Sequence, residues 1–178
     1  KAGAANNAFG VYAAASAGGT AFAGFFDGDI DVTGTIFNSS DRKLKENISA
    51  EMDAMNRIME LRPSTYTYRQ SGKPGQLNLP DGNQHGFIAQ ELEQVFPELV
   101  TEAQALLEQE GEAKEDDPAN LEKYSFKSVN YIGLIPVLTA GLQEQQFDID
   151  EKADQIKELK LANETLSQEN RVQESRIN

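Results

Sequence analysis

Apolar residues recur with a period of seven along the C-terminal part of the chain. One series runs through Ile135, Leu142, Ile149, Ile156, Asn163, Asn170 and Ile177, and a second, offset by three, through Leu138, Gln145, Lys152, Leu159, Leu166 and Gln173. These a and d positions predict a long helix that forms a coiled coil. The alternative is a single amphipathic helix packed on a globular core. A helix of about 45 residues extends roughly 65 Å, which a domain of about 100 residues cannot cover, so we favour an oligomer.

The N-terminal part has a different pattern. Residues 1–26 contain 10 Ala and 5 Gly with interspersed aromatic residues, and residues 29–36 then alternate between apolar and polar positions. Alternation predicts a half-buried strand. So short a segment can bury its apolar face only against copies of itself. We therefore predict a β stem, with a frayed leader as the alternative.

Between these parts the pattern predicts a small mixed domain. A helical region over 39–62 contains an amphipathic helix at about 50–61, which Pro63 ends. An acidic stretch at 102–122 predicts a solvated loop or short helix. The remaining elements are a strand at 65–69, turns at 71–83, a short strand at 86–88, a helix at 89–96 and a strand at 124–129.

Composition narrows the chemistry. The chain of 178 residues has a net charge of −13, no Cys and one His. Without Cys there are no disulfides, thiol nucleophiles or Cys-ligated metals. A single His argues against a His-rich metal site. We therefore expect no metal and no cofactor. The acidic balance argues against nucleic acid, and no run of 18 apolar residues predicts a membrane span. The first residue is Lys, from which we expect a fragment of a longer protein.

Ser40 and Lys45 are the candidate hydrolytic pair. Ser40 stands before three cationic side chains, Arg42, Lys43 and Lys45, at the predicted start of a helix. A serine needs a nearby base, and a lysine can serve where burial or neighbouring cations lower its pKa. The free N–H groups of a helix N-terminus could also hold an oxyanion. From spacing alone, Ser40 as a plain helix cap is the stronger interpretation.

Three segments carry a family resemblance that changes this balance. They are SSDRKLKENI at 39–48, HGFIAQELEQVFPELV at 85–100 and VNYIGLIPVLTAGLQEQQ at 129–146. In this order they resemble the C-terminal intramolecular chaperone family, the peptidase S74 modules of phage endosialidase tailspikes, phage tail fibres and myelin regulatory factors. The resemblance covers about 40–146, with 102–122 as an apparent insertion.

The resemblance implies a function. Such modules trimerise, template the folding of a preceding β-rich stalk and then release themselves through a Ser–Lys dyad. Matched to the SDxxxK motif, Ser40 would be the nucleophile and Lys45 the general base. A purely structural trimeric fibre tip or adhesin end that never cuts is the alternative. The implied location is a phage tail fibre or tailspike, or else a bacterial or prophage surface protein.

The resemblance implies that the bond that is cut lies beside Ser40. The resemblance favours Ser40–Asp41, whereas ring size favours Ser39–Ser40, because attack on the preceding carbonyl passes through a five-membered ring. Attack by Ser40 on its own carbonyl needs a strained four-membered ring, so cutting at Ser40–Asp41 requires an activated water or a serine from another chain.

The predicted architecture is α+β, with a small mixed domain between an N-terminal trimeric β stem and a parallel trimeric coiled coil. We divide the chain into the stem (1–39), the chaperone and autoprotease domain (40–130) and the coiled-coil helix (131–178). The partners are two further copies of the chain and its own fibre part. Heptads alone are compatible with dimers, so three strands rest on the resemblance. His85, Gln90 and Glu91 are expected to be supporting polar residues. The trimer seam, called the seam below, consists of Leu142, Ile149, Ile156, Leu159 and Leu166.

Overall fold

The computed structural model describes residues 13–15, 22–108 and 121–177, and most of the predicted small-residue stretch 1–26 lies outside them. The chain is mixed α+β, and its contacts divide it into two compact units. One consists of Lys1–Glu46 and Arg62–Asn130, and the other of Asn47–Leu61 and Tyr131–Asn178. The segment 47–61 thus groups with the C-terminal helix. The division into stem, domain and coiled coil follows expected roles along the chain and stays a prediction.

The first unit contains two small antiparallel sheets and one α-helix. Strand β1 (Ser64–Tyr66) pairs with β2 (Gln84–Gly86), and β3 (Val100–Glu108) pairs with β4 (Leu121–Val129). Helix α2 (Ala89–Val95) packs against the β3–β4 hairpin. Phe96 ends this helix, and Pro97 begins the 3-10 turn Pro97–Leu99 that leads into β3. Three elements lie close to their predicted positions, namely the strands at 65–69 and 124–129 and the helix at 89–96. The strand predicted at 86–88 is observed two residues earlier, as β2.

The hairpin corrects the prediction of an acidic loop at 102–122. Residues 102–108 belong to β3, where Ala103, Ala105 and Leu107 are buried while Leu106 is exposed. This period of two fits a strand with one face toward a core. Together with Leu92 and Phe96 of the α2 segment, the buried residues form the core of the first unit. Residues 109–120 lie outside the described part.

The second unit pairs a short helix with a long one. Helix α1 (Ala54–Glu60) is shorter than the predicted 50–61, and it packs against α3 (Leu134–Ile177). Gly141 of α3 lies against α1 so closely that a Cβ there would be 2.4 Å from Ile58 Cδ1. A glycine is therefore needed for this approach of the two helices.

The N-terminus of α1 is capped from α3. Asp53 occupies the capping position with φ 59° and makes no side-chain hydrogen bond to the helix. Instead, the Glu144 carboxylate accepts hydrogen bonds from the N–H groups of Ala54 at 3.1 Å and Met55 at 2.7 Å. A carboxylate at this end also interacts favourably with the helix dipole. One side chain thus fixes the start of α1 to the long helix.

The predicted stem strand over 29–36 is absent from the single chain. Residues 22–39 have no regular secondary structure, and Ile30, Val32, Ile36 and Phe37 are exposed. A strand requires a neighbour for its backbone hydrogen bonds, and one chain supplies none here. Among the described residues, no helix is long and apolar enough to cross a membrane.

Candidate functional site

The residues around Ser40 form a single tight turn. Asp41 caps the 3-10 turn Arg42–Leu44, because its carboxylate accepts a hydrogen bond of 3.0 Å from the Lys43 N–H. Backbone bonds from Leu44 N–H to the Asp41 carbonyl and from Lys45 N–H to the Arg42 carbonyl close the turn. Lys45 then leaves it in an extended conformation. The predicted helical region over 39–62 is therefore one 3-10 turn here, separated from α1 by residues without regular structure.

This turn brings the two predicted catalytic side chains into contact. The Lys45 ammonium Nζ donates a hydrogen bond of 2.8 Å to Ser40 Oγ. The two residues are five apart, and the 3-10 turn Arg42–Leu44 lies between them. The same N–O separation would let a neutral amine accept the serine proton. Both residues are exposed in the single chain. Their catalytic roles stay a prediction.

The neighbouring charges differ from the simple cationic cluster that the sequence indicates. Lys43 Nζ forms an ion pair with Asp41 Oδ2 at 3.2 Å, so this lysine has an acidic partner of its own. Its side chain is 78% exposed and that of Asp41 is 53% exposed, and a pair in such contact with water contributes little stability. Asp41 therefore orders the turn through its cap more than through its charge.

The α-helix that was predicted to begin beside Ser40, with N–H groups that could hold an oxyanion, is not formed. The turn after Ser40 has three residues, which is too short for a helix dipole of useful size. One of its N–H groups, that of Lys43, is already bonded to Asp41. An oxyanion role for the other N–H groups near Ser40 stays a prediction.

The three predicted supporting residues are surface groups. His85 lies in β2 opposite Thr65, and Gln90 and Glu91 lie in the first turn of α2. All three are exposed. In the described part of the chain, no hydrogen bond joins any of them to Ser40 or Lys45. A contact role within or between subunits stays a prediction for each.

The seam residues share one property, which is exposure. Ile149 and Ile156 are each 51% exposed, and the others of the seam are more exposed still. The buried positions of α3, namely Leu134, Val137 and Gly141, lie near its start. Along most of its length the helix therefore presents an apolar stripe that none of the described residues covers.

In the part of the chain that the structure describes, no group of three or more His, Asp or Glu side chains is placed so as to hold a metal ion. Two polar contacts that join distant parts of the sequence were not predicted. These are the capping of α1 by Glu144 and a contact between Asp27 and Asn78. Both join residues far apart in the sequence, and the only available signal for the second was an asparagine in a turn-rich segment.

Comparison with known proteins identifies the central part of the chain. Residues 40–101 match the Peptidase S74 family model, described as chaperone of endosialidase. A crystal structure titled as a novel intramolecular chaperone aligns with 61% of this chain and 99% of its own, at 17% identity and a TM-score of 0.42. The carboxy-terminal domain of the bacteriophage T5 L-shaped tail fibre, with its intramolecular chaperone domain, aligns with 84% of this chain at 17% identity and a TM-score of 0.43. The present chain spans 37% of the length of that tail-fibre structure. The family match begins at Ser40 itself and includes Lys45, so the chain contains a Peptidase S74, or chaperone of endosialidase, domain at residues 40–101.

Proposed function

We propose that this chain is a homotrimerisation chaperone that templates the folding of a preceding β-rich fibre and then releases itself by cutting next to Ser40. The observation that carries the proposal is the 2.8 Å hydrogen bond between Lys45 Nζ and Ser40 Oγ, located where the family match begins. Ser40 is the nucleophile and Lys45 the general base. The reaction is a single turnover on the chain's own backbone, and it needs no cofactor. The location is a phage tail fibre or tailspike.

The cutting step follows from the chemistry of the pair. A neutral Lys45 amine takes the Ser40 hydroxyl proton as Oγ attacks a backbone carbonyl carbon. In attack on the Ser39 carbonyl, the C–N bond of Ser39–Ser40 breaks, the protonated lysine returns its proton to the Ser40 nitrogen, and an ester remains. Water then hydrolyses that ester. Cutting at Ser40–Asp41 instead needs a water, or a serine of another chain, that the pair activates.

Trimer formation gives the cut its timing. A fibre requires three chains in register, and ordering three tethered stems costs entropy before their long-range β contacts form. A coiled coil that forms first through the seam raises the effective concentration of the stems. Exposure of both the seam and the stem's apolar residues in the single chain supports assembly. Once the template has left after the cut, the fibre is kinetically stable, because the route by which it formed is closed.

The pair is tested by the number of bands on a denaturing gel. The unaltered chain is expected to give two fragments, whereas Ser40→Ala and Lys45→Met are expected to give one full-length band. Lys43→Met is the matched control, because it removes a lysine two residues away whose partner is Asp41. It should cut at close to the original rate. Equal cutting by Lys45→Met and the unaltered chain would contradict the assignment of the base.

Two further measurements complete the test. The fragment masses distinguish cutting before Ser40 from cutting after it, because the Ser40 residue moves from one fragment to the other. The trimer is measured by the mass of the native protein in solution. A trimer that never gives a second band would instead support the structural fibre tip, the competing hypothesis.

A further inference from the structure

A hydrogen-bonded contact joins the stem to the domain on the two sides of the proposed cut. The backbone N–H of Asn78 donates to Asp27 Oδ1 at 2.8 Å. The Asn78 side-chain amide donates to the Asp27 carbonyl oxygen at 3.1 Å and to Asp27 Oδ2 at 3.3 Å. One asparagine thus bonds both carboxylate oxygens and the backbone of one aspartate. We call this pair the stem contact.

The domain side of the stem contact is itself held in place. Gln76 bonds the backbone of Glu108 in both directions, with Nε2 donating to the carbonyl oxygen at 3.2 Å and Oε1 accepting from the N–H at 3.0 Å. Lys73, in the same turn, forms an ion pair of 2.8 Å with Glu122. The loop that carries Asn78 is therefore attached to both strands of the β3–β4 hairpin.

An open, partly apolar cleft adjoins the polar bonds. Phe25 and Asp27 of the stem line an open cleft of about 750 Å³ together with Gln76, Leu77 and residues 104–108 of β3. Phe25 is 52% exposed, so roughly half of this aromatic residue is covered. The neighbouring Phe26 is 72% exposed and does not line the cleft. The stem thus contacts the hairpin and its attached loop through a defined segment, residues 25–27.

Asp27 precedes Ser40 by 13 residues, whereas Asn78 follows it, so a cut beside Ser40 leaves the two on different fragments. We infer that the stem contact holds the cut stem on the domain, so that cleavage and release are separate steps. This inference rests on the proposed self-cleavage. The partner of the loop is the chain's own segment 25–27. In the proposed trimer three such contacts act together, and their effects multiply.

The test uses two variants of the full chain, one that replaces Asn78 alone and one that exchanges the side chains of residues 27 and 78. In Asn78→Asp two carboxylates face each other, and the side-chain donor is lost. We expect the stem fragment to dissociate about tenfold faster for each contact, since one charge-assisted hydrogen bond is replaced by repulsion. In the double variant Asp27→Asn with Asn78→Asp, the new amide at 27 can donate to the new carboxylate at 78. We expect that variant to regain retention.

The measurement is co-elution of the two fragments on size exclusion, followed by a denaturing gel. Asp31→Asn is the matched control, because Asp31 is also an exposed stem carboxylate and has no hydrogen-bond partner within the described ranges. It should retain the stem as the unaltered chain does. Separate elution of the fragments of the unaltered chain, or equal retention in Asn78→Asp, would overturn the inference. A double variant that releases the stem as fast as Asn78→Asp would also overturn the inference, because the loss of retention in Asn78→Asp would then not come from this pair.

Failure of self-cleavage can be separated from failure of the stem contact. In a Ser40→Ala chain with the site of an added sequence-specific protease inserted between Asn38 and Ser39, the cut no longer depends on the dyad. Retention after that external cut tests the stem contact alone. The unaltered chain without added protease tests the dyad alone.

Discussion

Replacing Ile149 and Ile156 by lysine should abolish both assembly and cleavage. Burial of an isoleucine side chain contributes about 1.5–3 kcal/mol. Each of the two is 51% exposed in the single chain, so about half of that, roughly 0.8–1.5 kcal/mol, remains to be gained on assembly. Over six side chains of the proposed trimer the loss is about 5–9 kcal/mol. That weakens association by about four to six orders of magnitude, before the cost of burying six ammonium groups is added.

The assay combines the mass in solution, from sedimentation or light scattering, with the band count on a denaturing gel. Phe147→Lys with Leu161→Lys is the matched control. Both residues are apolar and exposed, at 70% and 67%, but they lie at outer heptad positions away from the seam. Lysine is a good helix former, so neither pair of substitutions should melt α3 itself. A seam variant that is monomeric and still cuts at the original rate would refute the coupling, and one that stays trimeric would refute the seam.

Three further outcomes test the packing of the two units. Gly141→Ala should cost about 1–3 kcal/mol of stability through overlap with Ile58 Cδ1, offset by about 1 kcal/mol of helix propensity. In a chain that carries Ile58→Val, which removes that methyl group, Gly141→Ala should be stabilising. If thermal unfolding shows the same effect of Gly141→Ala with Ile58 as with Ile58→Val, the close approach of the two helices is contradicted. Glu144→Gln should lower stability by about 1 kcal/mol through weaker capping of α1, and an unchanged melting temperature would count against it. Leu107→Asp should cost about 2–5 kcal/mol and Leu106→Asp under 1, since only the first is buried; equal costs in urea unfolding would contradict the orientation of β3.

The sequence predicts the long helix well because its signal is redundant. A period of seven repeated from Ile135 to Ile177 outweighs any single polar residue, and the observed helix runs from Leu134 to Ile177. Shorter elements were less exact at their ends. Helix α1 begins at Ala54 because Glu144 caps it there, a contact across 90 positions that no local pattern reveals.

The β3 strand shows how composition can mislead. The stretch from 102 to 122 is acidic on average, and its acidic residues hide an alternation of small and apolar residues at 103, 105 and 107. Two of those three are alanines, whose short side chains give a weak hydrophobic signal. Pairing with β4 supplies the context, because each residue from Val100 to Glu108 has a partner there.

Spacing alone favoured a plain helix cap at Ser40, and the family resemblance made Ser40 and Lys45 the candidate pair. Ser40 and Lys45 are five residues apart, so one local turn is enough to join them, and Asp41 has the side chain that caps such a turn. An oxyanion site and a set of supporting groups require residues distant in sequence. The helix on which the first was predicted is not formed, and the roles of the supporting groups stay a prediction.

Ser40 and Lys45 meet within one local turn, which bears on how assembly could control cleavage. Because the turn from Ser40 to Lys45 closes through bonds of residues 41–45 alone, the proposed trimer is not needed to bring the two side chains together. We expect assembly to act instead on the environment of the pair, by excluding water from Lys45 and by adding donors for the developing oxyanion. Neighbouring chains can supply both effects at an exposed site. A monomeric seam variant should therefore keep the 40–45 turn intact while losing cleavage, and it separates assembly of the pair from its activation.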